Sequence, residues 1–508
     1  MPHQTALASG DGRSATGASL GRELVRPSPS SLIWAGVAGA TAIGVVLRAV
    51  FVGDQSLGYE EVFTASVVGH HTVSGVWHAV SETESTPPLY YLLTWLWVKL
   101  AASHTTVALR TTSLVAGSLT VPIAFLAVRS FVGRRLALVV AWLCAISPVL
   151  VGYSIYARSY ALVVLLATLS VWALRALLER PSPLRFSLWA AAAAACLWTH
   201  YFAVFLVIGE AAVLLVKLRG ERRGLLLCLI AIALATAPLW SLFLSQSGES
   251  ARTGFIAARP LDGRLADTVR QFAMGTNVPT AWLEGAGILL VAAATLFAAA
   301  RTYRREAAQI LGAVALIGAG LPVCSALTGL DDHLLPRNIL GIWICLAPFA
   351  AYGLTRLRSI PLLAYSAICI VTVLAVQSNW RYQAASDWRG ASARVRARAS
   401  GDPVAVMPAL QSGVAALYLH RAPLSAPLRT EDLWVMVEPV RGSGQRALNP
   451  VANPPLTELW GAQFKPVAEI DYRGFRLIHL RASSPTAVPR APSSNGPATA
   501  PLALVLGP

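Results

Sequence analysis

Charged residues are scarce in this sequence. Asp, Glu, Lys and Arg make up only 13% of the 508 residues, whereas 55% are hydrophobic. A soluble chain of this length needs a more polar surface, so the composition predicts a polytopic α-helical membrane protein. The formal net charge is +16, but the cations fall in short clusters between apolar runs, as the positive-inside rule requires. Nucleic acid is therefore not a predicted partner.

Motifs that mark soluble nucleotide- or metal-dependent enzymes are also missing. The sequence has no Walker loop, no GxGxxG after a strand, no GxSxG elbow and no zinc-ligand spacing. The cysteines show no CxxC pair and lie within or at the ends of apolar runs, which predicts small core residues rather than metal ligands. They are Cys144, Cys196, Cys228, Cys324, Cys345 and Cys369.

Apolar runs dominate what is present. About eleven runs, from residues 31–52 to residues 361–376, are candidates for membrane helices of roughly 20 residues. Residues 186–199 form the shortest of them, and residues 89–102 are predicted to lie along the outer interface. Clusters of Lys and Arg fall in alternate loops, which predicts a plasma-membrane protein with a cytoplasmic N-terminus and an extracytoplasmic C-terminus.

Composition divides the chain into four parts. Residues 1–30 are polar and Gly/Ser-rich and are predicted to be a disordered cytoplasmic segment. Residues 31–376 form the predicted transmembrane domain, with a first outer loop at 53–106. Residues 377–482 show alternating short strands and one short helix, which predicts a small extracytoplasmic α/β domain. Residues 483–508 are rich in Pro, Ala and Ser and are predicted to be disordered.

Polar groups that carry chemistry collect on one side of this topology. The first outer loop has five carboxylates between residues 53 and 89 but no Lys or Arg. A carboxylate beside a fixed cation suits a reaction that needs a general base and an anion clamp, because Arg binds phosphate oxygens through paired hydrogen bonds. The residues predicted to share the outer face are Glu60, Glu61, Glu84, Arg158, Tyr160, His200, His333 and Arg337.

Several of these residues also have a structural interpretation. Glu60 and Glu61 could cap a helix N-terminus or solvate the end of a loop. Arg158 could be an anchor at the membrane interface, and His200 a polar interface residue. No cofactor is predicted, although Asp331, Asp332 and His333 loosely resemble a metal cluster and leave a divalent metal ion open as an alternative.

Five motifs occur in order along residues 31–376. They are Gly58-Tyr-Glu-Glu-Val-Phe-Thr, Pro87-Pro-Leu-Tyr-Tyr-Leu-Leu, Ser147-Pro followed by Tyr153 to Tyr160, Thr199-His-Tyr-Phe and Pro336-Arg-Asn. Together they resemble glycosyltransferase family 39, membrane enzymes of the GT-C fold that include protein O-mannosyltransferases and the lipid A aminoarabinose transferase. The Asp-Trp-Arg-Gly sequence at 387–390 also resembles bacterial members of this family.

The resemblance implies a GT-C fold and transfer of a sugar, such as mannose or another hexose or pentose, from a polyprenyl-phosphate donor. The acceptor would be a hydroxyl of a protein, lipid or glycan outside the cytoplasm, and direct displacement would invert the anomeric centre. Glu60, as general base, and Glu61 are the implied catalytic residues. The implied substrate-binding residues are Glu84, Arg158, Tyr160, His200, His333 and Arg337.

Three positions depart from the family pattern. Relatives usually carry Asp where this chain has Glu60, and Asp-x-His before the Pro-Pro motif where this chain has residues 84–86, Glu-Ser-Thr. Many have Glu at the position of Tyr156. These departures indicate a divergent subgroup or a different acceptor. They also keep two alternatives open: a catalytically weakened relative that serves as a binding or assembly subunit, and a lipid or sugar transporter.

Overall fold

A computed structural model describes the protein at residues 29–247, 256, 259–329, 332–356, 359–383, 385–399, 401–438, 440–441, 448–449, 459–491 and 503–507. A bundle of apolar helices is followed by a small α/β domain. The predicted disordered N-terminal segment falls almost wholly outside the described residues.

Helices account for the chain up to residue 378. The first group is α1 (Pro29–Ala49), α2 (Tyr59–Val68), α3 (Val73–Thr83), α4 (Leu89–Ala101), α5 (Thr106–Val132), α6 (Arg134–Ile146), α7 (Pro148–Ser154), α8 (Tyr160–Glu179), α9 (Pro183–Thr199), α10 (Ala203–Lys217), α11 (Arg222–Thr236) and α12 (Pro238–Ser247). The second group is α13 (Leu261–Met274), α14 (Ala281–Thr302), α15 (Glu306–Thr328), a 3-10 helix (Pro336–Ile342), α16 (Trp343–Arg356) and α17 (Ile360–Ser378).

Length and composition identify seven membrane-spanning candidates within the described ranges, or up to nine if each of two bent helix pairs is one span. The predicted count of about eleven also includes α9 and α10, which have only 17 and 15 residues. α9 packs between α8 and α11, and α10 packs on α15, so both belong to the bundle. Many large side chains on the bundle surface are exposed, including Leu289, Leu296 and Leu316, as expected for a lipid-facing surface.

A buried arginine supports the bend of 55° between α6 and α7. Pro148 has no N–H to bond the carbonyl of Cys144, so a continuous helix would leave that carbonyl unpaired. Arg48 of α1 is fully buried and donates to the Cys144 carbonyl at 3.0 Å and to the Ala145 carbonyl at 2.9 Å. Its Nε also donates to Ser154 Oγ at 3.0 Å. Arg48 therefore fixes the segment that leads into residues 155–158.

The C-terminal domain is built on a five-stranded sheet of order β5-β6-β2-β1-β7, in which β1 and β2 are parallel and the other pairs antiparallel. Its elements are α18 (Trp388–Arg396), β1 (Val404–Met407), α19 (Ser412–Leu419), β2 (Leu428–Val437), β5 (Lys465–Tyr472), β6 (Phe475–Val488) and β7 (Leu504–Leu506), with a separate pair β3 (Val440–Arg441) and β4 (Leu448–Asn449). A small C-terminal α/β domain is confirmed, with two short helices where the sequence predicted one; its location outside the cytoplasm stays a prediction.

The structure corrects the predicted disordered tail at the residues it describes. β6 continues to Val488, and β7 pairs with β1 with Val404 opposite Leu506. The Leu-Val-Leu segment at 504–506 covers the edge of β1, and Leu506 is fully buried. Pro/Ala/Ser-rich composition concealed this strand because its partner lies about a hundred residues earlier, and pairing over that distance leaves no local sequence signal.

The α/β domain contacts the loop that precedes α2. Tyr418 of α19 accepts a hydrogen bond from the Leu57 backbone N–H at 2.8 Å. Ser56 Oγ accepts from the Arg389 backbone N–H at 3.0 Å, and the Arg389 side chain donates to the Gly53 carbonyl at 3.1 Å. The sheet domain therefore helps to position the start of α2.

Candidate active site

The site is organised around the first turn of α2. Gly58 caps this helix, and its N–H donates to Glu61 Oε2 at 2.8 Å. This bond is half of a capping box, a local arrangement that fixes where a helix begins. It turns the Glu61 side chain back toward the helix N-terminus, so that the adjacent Glu60 projects in a different direction.

Glu61 forms a buried, doubly hydrogen-bonded ion pair with Arg110 of α5. Arg110 Nε donates to Oε1 at 2.8 Å and Nη2 to Oε2 at 2.7 Å. The Ala157 N–H also donates to Oε1 at 2.7 Å. Both side chains are almost completely buried. Arg110 uses its remaining donors on three backbone carbonyls, those of Val52, Gln55 and Ser56.

The prediction that Glu61 is a second catalytic carboxylate stays a prediction, and this geometry favours a structural role for it. Four N–H donors satisfy its oxygens, so it holds the preceding loop, α2 and the Ala157 segment together. Arg110 was not singled out from the sequence. The available signal was an Arg within a long apolar run, which is costly in a membrane helix and calls for a partner.

Glu60 contacts both predicted arginines. Arg337 Nη1 donates to Glu60 Oε1 at 2.7 Å, and Arg158 Nε lies 3.9 Å from Oε2. Tyr156 Oη donates to the same Oε2 at 3.4 Å. The Glu60 side chain keeps 27% exposure. Burial raises its pKa, but the positive charges of Arg337 and Arg158 outweigh this effect and hold the pKa below its usual value. The carboxylate is therefore ionised at neutral pH.

Arg158 joins Glu60 to the second predicted carboxylate. Its Nη1 donates to Glu84 Oε1 at 2.7 Å, and Glu84 is buried. The guanidinium carbon also lies 5.8 Å from the centroid of the Tyr91 ring. Burial raises the pKa of Glu84, although the adjacent Arg158 opposes the shift. Two carboxylates and two arginines thus alternate in the order Glu84, Arg158, Glu60, Arg337.

A cavity of about 270 Å³ opens beside this chain of charges. Of the predicted residues, Glu60, Glu61, Tyr160 and Arg337 line it. Tyr160 packs against Tyr153 with ring centroids 4.7 Å apart, and Arg337 lies 5.9 Å from the Tyr160 centroid. Lining residues that the sequence did not single out as site residues include Gln55, Tyr153, Thr276, Asn277 and Gln377. They come from loops and helix ends, where no local pattern indicated a shared cavity.

Neither of the two predicted histidines is among the residues that line the cavity. The His200 ring is 6.0 Å from that of Tyr160 and 5.6 Å from that of Phe202. The His333 ring is 4.9 Å from that of Phe202. Burial, together with the charges of Arg337 and Arg158, lowers the pKa of His200 to about 3, so its imidazole is neutral at physiological pH. A neutral ring packed among aromatic rings supports Tyr160 rather than carrying charge.

No group of three or more His, Cys, Asp or Glu residues suited to a metal ion occurs in the described part of the chain. Asp332 instead forms an ion pair with Arg264 of α13, whose Nη2 donates to Oδ2 at 2.6 Å. Its hydrogen bond to Arg264 lowers the pKa of Asp332, although burial opposes the shift. Asp331, the other acidic member of the suggested metal cluster, lies outside the described residues. Asp332, a member of the suggested metal cluster, is thus paired with an arginine side chain.

Comparison with known proteins agrees with the sequence resemblance. Residues 85–242 match the family of dolichyl-phosphate-mannose-protein mannosyltransferases. ArnT from Cupriavidus metallidurans in the apo state has a similar fold, with a TM-score of 0.55 and 12% identity over 89% of this chain and 98% of that chain. A search of curated proteins finds no significant match.

Two further structures are similar at lower scores. ArnT from the same organism bound to undecaprenyl phosphate gives a TM-score of 0.49 with 16% identity, covering 77% of this chain and 75% of that chain. The Archaeoglobus fulgidus oligosaccharyltransferase in complex with Zn and sulfate gives 0.46 with 15% identity, and covers 72% of this chain but only 55% of that chain. The predicted GT-C type helical membrane fold with a C-terminal α/β domain is confirmed.

Proposed function

We propose, from the premise that this chain is a multi-pass membrane protein of the GT-C glycosyltransferase fold, that it transfers a sugar from a polyprenyl phosphate to a hydroxyl acceptor. The reaction would take place on the extracytoplasmic face of the plasma membrane, with the N-terminus in the cytoplasm. The observation that carries the proposal is the placement of the Glu60 carboxylate at the cavity, in contact with both Arg158 and Arg337.

Glu60 is the proposed general base. Among the residues that the structure describes, its Oε2 accepts only the long bond from Tyr156 and faces Arg158 at 3.9 Å, whereas Oε1 is held by Arg337. As an acceptor hydroxyl oxygen forms a bond to the anomeric carbon, Oε2 takes its proton. The bond from that carbon to the phosphate oxygen breaks, and the polyprenyl phosphate leaves with the electron pair. One direct displacement of this kind inverts the anomeric centre.

The two arginines are the proposed phosphate clamp. Arg337 lines the cavity, and Arg158 lies directly behind Glu60. Negative charge increases on the leaving phosphate during the displacement, and fixed guanidinium donors stabilise such charge strongly in a site shielded from water. ArnT from Cupriavidus metallidurans, the protein of similar fold, has been crystallised bound to undecaprenyl phosphate, which supports a polyprenyl phosphate as the donor class.

A transfer assay tests the function. The purified full chain would be incubated with a panel of polyprenyl-phosphate hexoses and pentoses, together with protein, lipid and glycan acceptors. We expect release of polyprenyl phosphate with at least one donor, and an inverted linkage in the product. A folded protein that binds the lipid phosphate but turns over none of the donors would instead be a binding or assembly subunit.

A further inference from the structure

A second and larger cavity lies at the other end of the bundle. It measures about 760 Å³ and is bounded by the turn between α5 and α6, the end of α14, the start of α15 and the end of α16. Gly133 makes the turn at a φ of +83°, a conformation that strains any residue with a Cβ. The turn therefore brings the first residues of α6 to the rim of the cavity.

Positive charge is concentrated around this cavity. Four exposed arginines line it, namely Arg134, Arg135, Arg305 and Arg356. The lining contains no Asp or Glu, and no described carboxylate forms an ion pair with any of the four. Glu306, which follows Arg305, is held by Lys217 at 2.9 Å. α6 and α15 both begin here, and helix N-termini add partial positive charge.

The rest of the lining is apolar and aromatic. Leu136, Val139 and Leu311 lie on the helices that lead away from the arginines into the bundle. The Tyr352 ring, between the charged and the apolar parts, lies 4.7 Å from the Arg356 guanidinium and 5.7 Å from that of Arg305. A cavity with arginines at its rim and apolar side chains along its wall suits a ligand that is anionic at one end and apolar at the other.

This cavity and the candidate active site occupy opposite ends of the same helices. α5 carries Arg110 at the active site and Phe131 at the second cavity, 21 residues apart, or about 30 Å of helix. Arg337 precedes α16, and Arg356 ends it. About 30 Å is the thickness of a bilayer's hydrocarbon core, so the second cavity lies at the opposite membrane face.

We propose that this cavity binds the phosphate headgroup of an anionic phospholipid. The four arginines would contact the phosphate, and the acyl chains would lie along the apolar wall. The lipid would be drawn from the leaflet at the face where the basic loops cluster. This proposal concerns a site separate from the transfer reaction and stands whether or not Glu60 is catalytic.

Lipid binding to the purified full chain tests the proposal. Native mass spectrometry would count bound phosphatidylglycerol on the wild type and on the double variant Arg134→Gln/Arg305→Gln. We expect the double variant to bind it about tenfold more weakly, because each arginine near a lipid surface contributes favourably. The matched control is Arg222→Gln/Arg223→Gln, which removes two exposed charges at the start of α11 on the same face but outside the cavity. This control should bind like wild type.

Three outcomes would overturn the proposal. Equal weakening in both double variants would show that phosphatidylglycerol responds only to overall charge. Equal affinity for phosphatidylcholine and phosphatidylglycerol would show that the arginines do not select an anionic headgroup. Full displacement of the lipid by millimolar inorganic phosphate would show that the apolar wall contributes nothing, and the ligand would then be a free anion. All four substituted side chains are exposed, and unchanged thermal unfolding would verify that the variants fold.

Discussion

Two adjacent glutamates in this protein have opposite environments. Glu61 accepts hydrogen bonds from four N–H donors, whereas one oxygen of Glu60, at the edge of a cavity, accepts a long hydrogen bond of 3.4 Å from Tyr156. The sequence motif presents them as a pair. The capping box gives them different directions. The Glu61 side chain accepts a hydrogen bond from the Gly58 N–H at the start of its own helix, whereas the Glu60 side chain contacts Arg158 and Arg337.

Replacing Glu60 by Gln should lower the rate of sugar transfer by about 10²–10⁴-fold, the usual contribution of a general base. Gln keeps the size of the side chain but removes the basic oxygen, so donor binding and the unfolding temperature should change little. Glu60→Asp should be milder, because it keeps the carboxylate. The measurement is kcat with the donor identified in the transfer assay.

Glu82→Gln provides the matched control, since it removes a carboxylate from the same outer loop at an exposed position, where Glu82 forms an ion pair with His78. Its transfer rate should equal that of the wild type. Equal small losses at positions 60 and 82 would refute the assignment of Glu60 as the base.

Replacing Glu61 by Gln should act mainly on stability. Arg110 would keep its buried charge and lose the carboxylate that balances it, which typically costs about 3–5 kcal/mol. We therefore expect a clearly lower unfolding temperature in detergent, measured beside Glu60→Gln. An unchanged unfolding temperature with a lost transfer rate would restore Glu61 to a catalytic role.

The sequence predicted much of the site at this scale. Glu60, Glu84, Arg158 and Arg337 come from four separate segments, and hydropathy with the distribution of basic loops was enough to place them on one face. The pairing among them was not predictable, because it depends on the rotation of each helix about its axis. Arg110 was missed because its partner, Glu61, is 49 residues away in sequence and the pairing leaves no local pattern.

At the scale of elements, the break between α6 and α7 determines where the Arg158 segment lies. Residues 136–152 form one apolar run in the sequence, and the structure divides this run at Ser147. A proline signals a bend, but its angle depends on the partner of the freed carbonyl. Here that partner is Arg48, from a helix about one hundred residues earlier.

Replacing Arg48 by Met should loosen this bend. The carbonyls of Cys144 and Ala145 would lose their donor, and each unpaired buried polar group costs about 1–3 kcal/mol. Hydrogen exchange should become faster in residues 147–158 before it does so elsewhere in the bundle. Arg175→Met, which removes a more exposed pair with Glu179 within α8, is the control and should leave exchange there unchanged. The same exchange pattern in both variants would contradict this role for Arg48.

At the scale of the whole molecule, the two cavities distinguish the ends of the bundle: at one, carboxylates are paired with arginines, and at the other, four arginines line a cavity that has no Asp or Glu in its lining. The helical architecture and the C-terminal α/β domain were predictable, because apolar runs and alternating strands are local patterns. The last strand, β7, was not predictable, since it pairs with β1 about a hundred residues earlier in the chain.

The predicted orientation can be tested with reporters. A reporter fused after Val376 should be extracytoplasmic, and one inserted between Arg129 and Arg135 should be cytoplasmic, because basic loops are retained inside. A cytoplasmic signal at the first position would place the Glu60 cavity on the wrong face for an extracytoplasmic acceptor. Both positions would be assayed in the same cells with two reporters of opposite compartment specificity.

The hydrogen bond between Leu57 and Tyr418 joins residues 361 positions apart. Ribosomes synthesise chains from the N-terminus, so the loop before Glu60 is inserted into the membrane long before Tyr418 exists. The contacts of Arg389 with Ser56 and Gly53 arise equally late. The loop that precedes Glu60 therefore gains these contacts late in biosynthesis, and a nascent chain stalled before residue 389 would contain Glu84, Arg158, Glu60 and Arg337 but none of the contacts that hold this loop against the α/β domain.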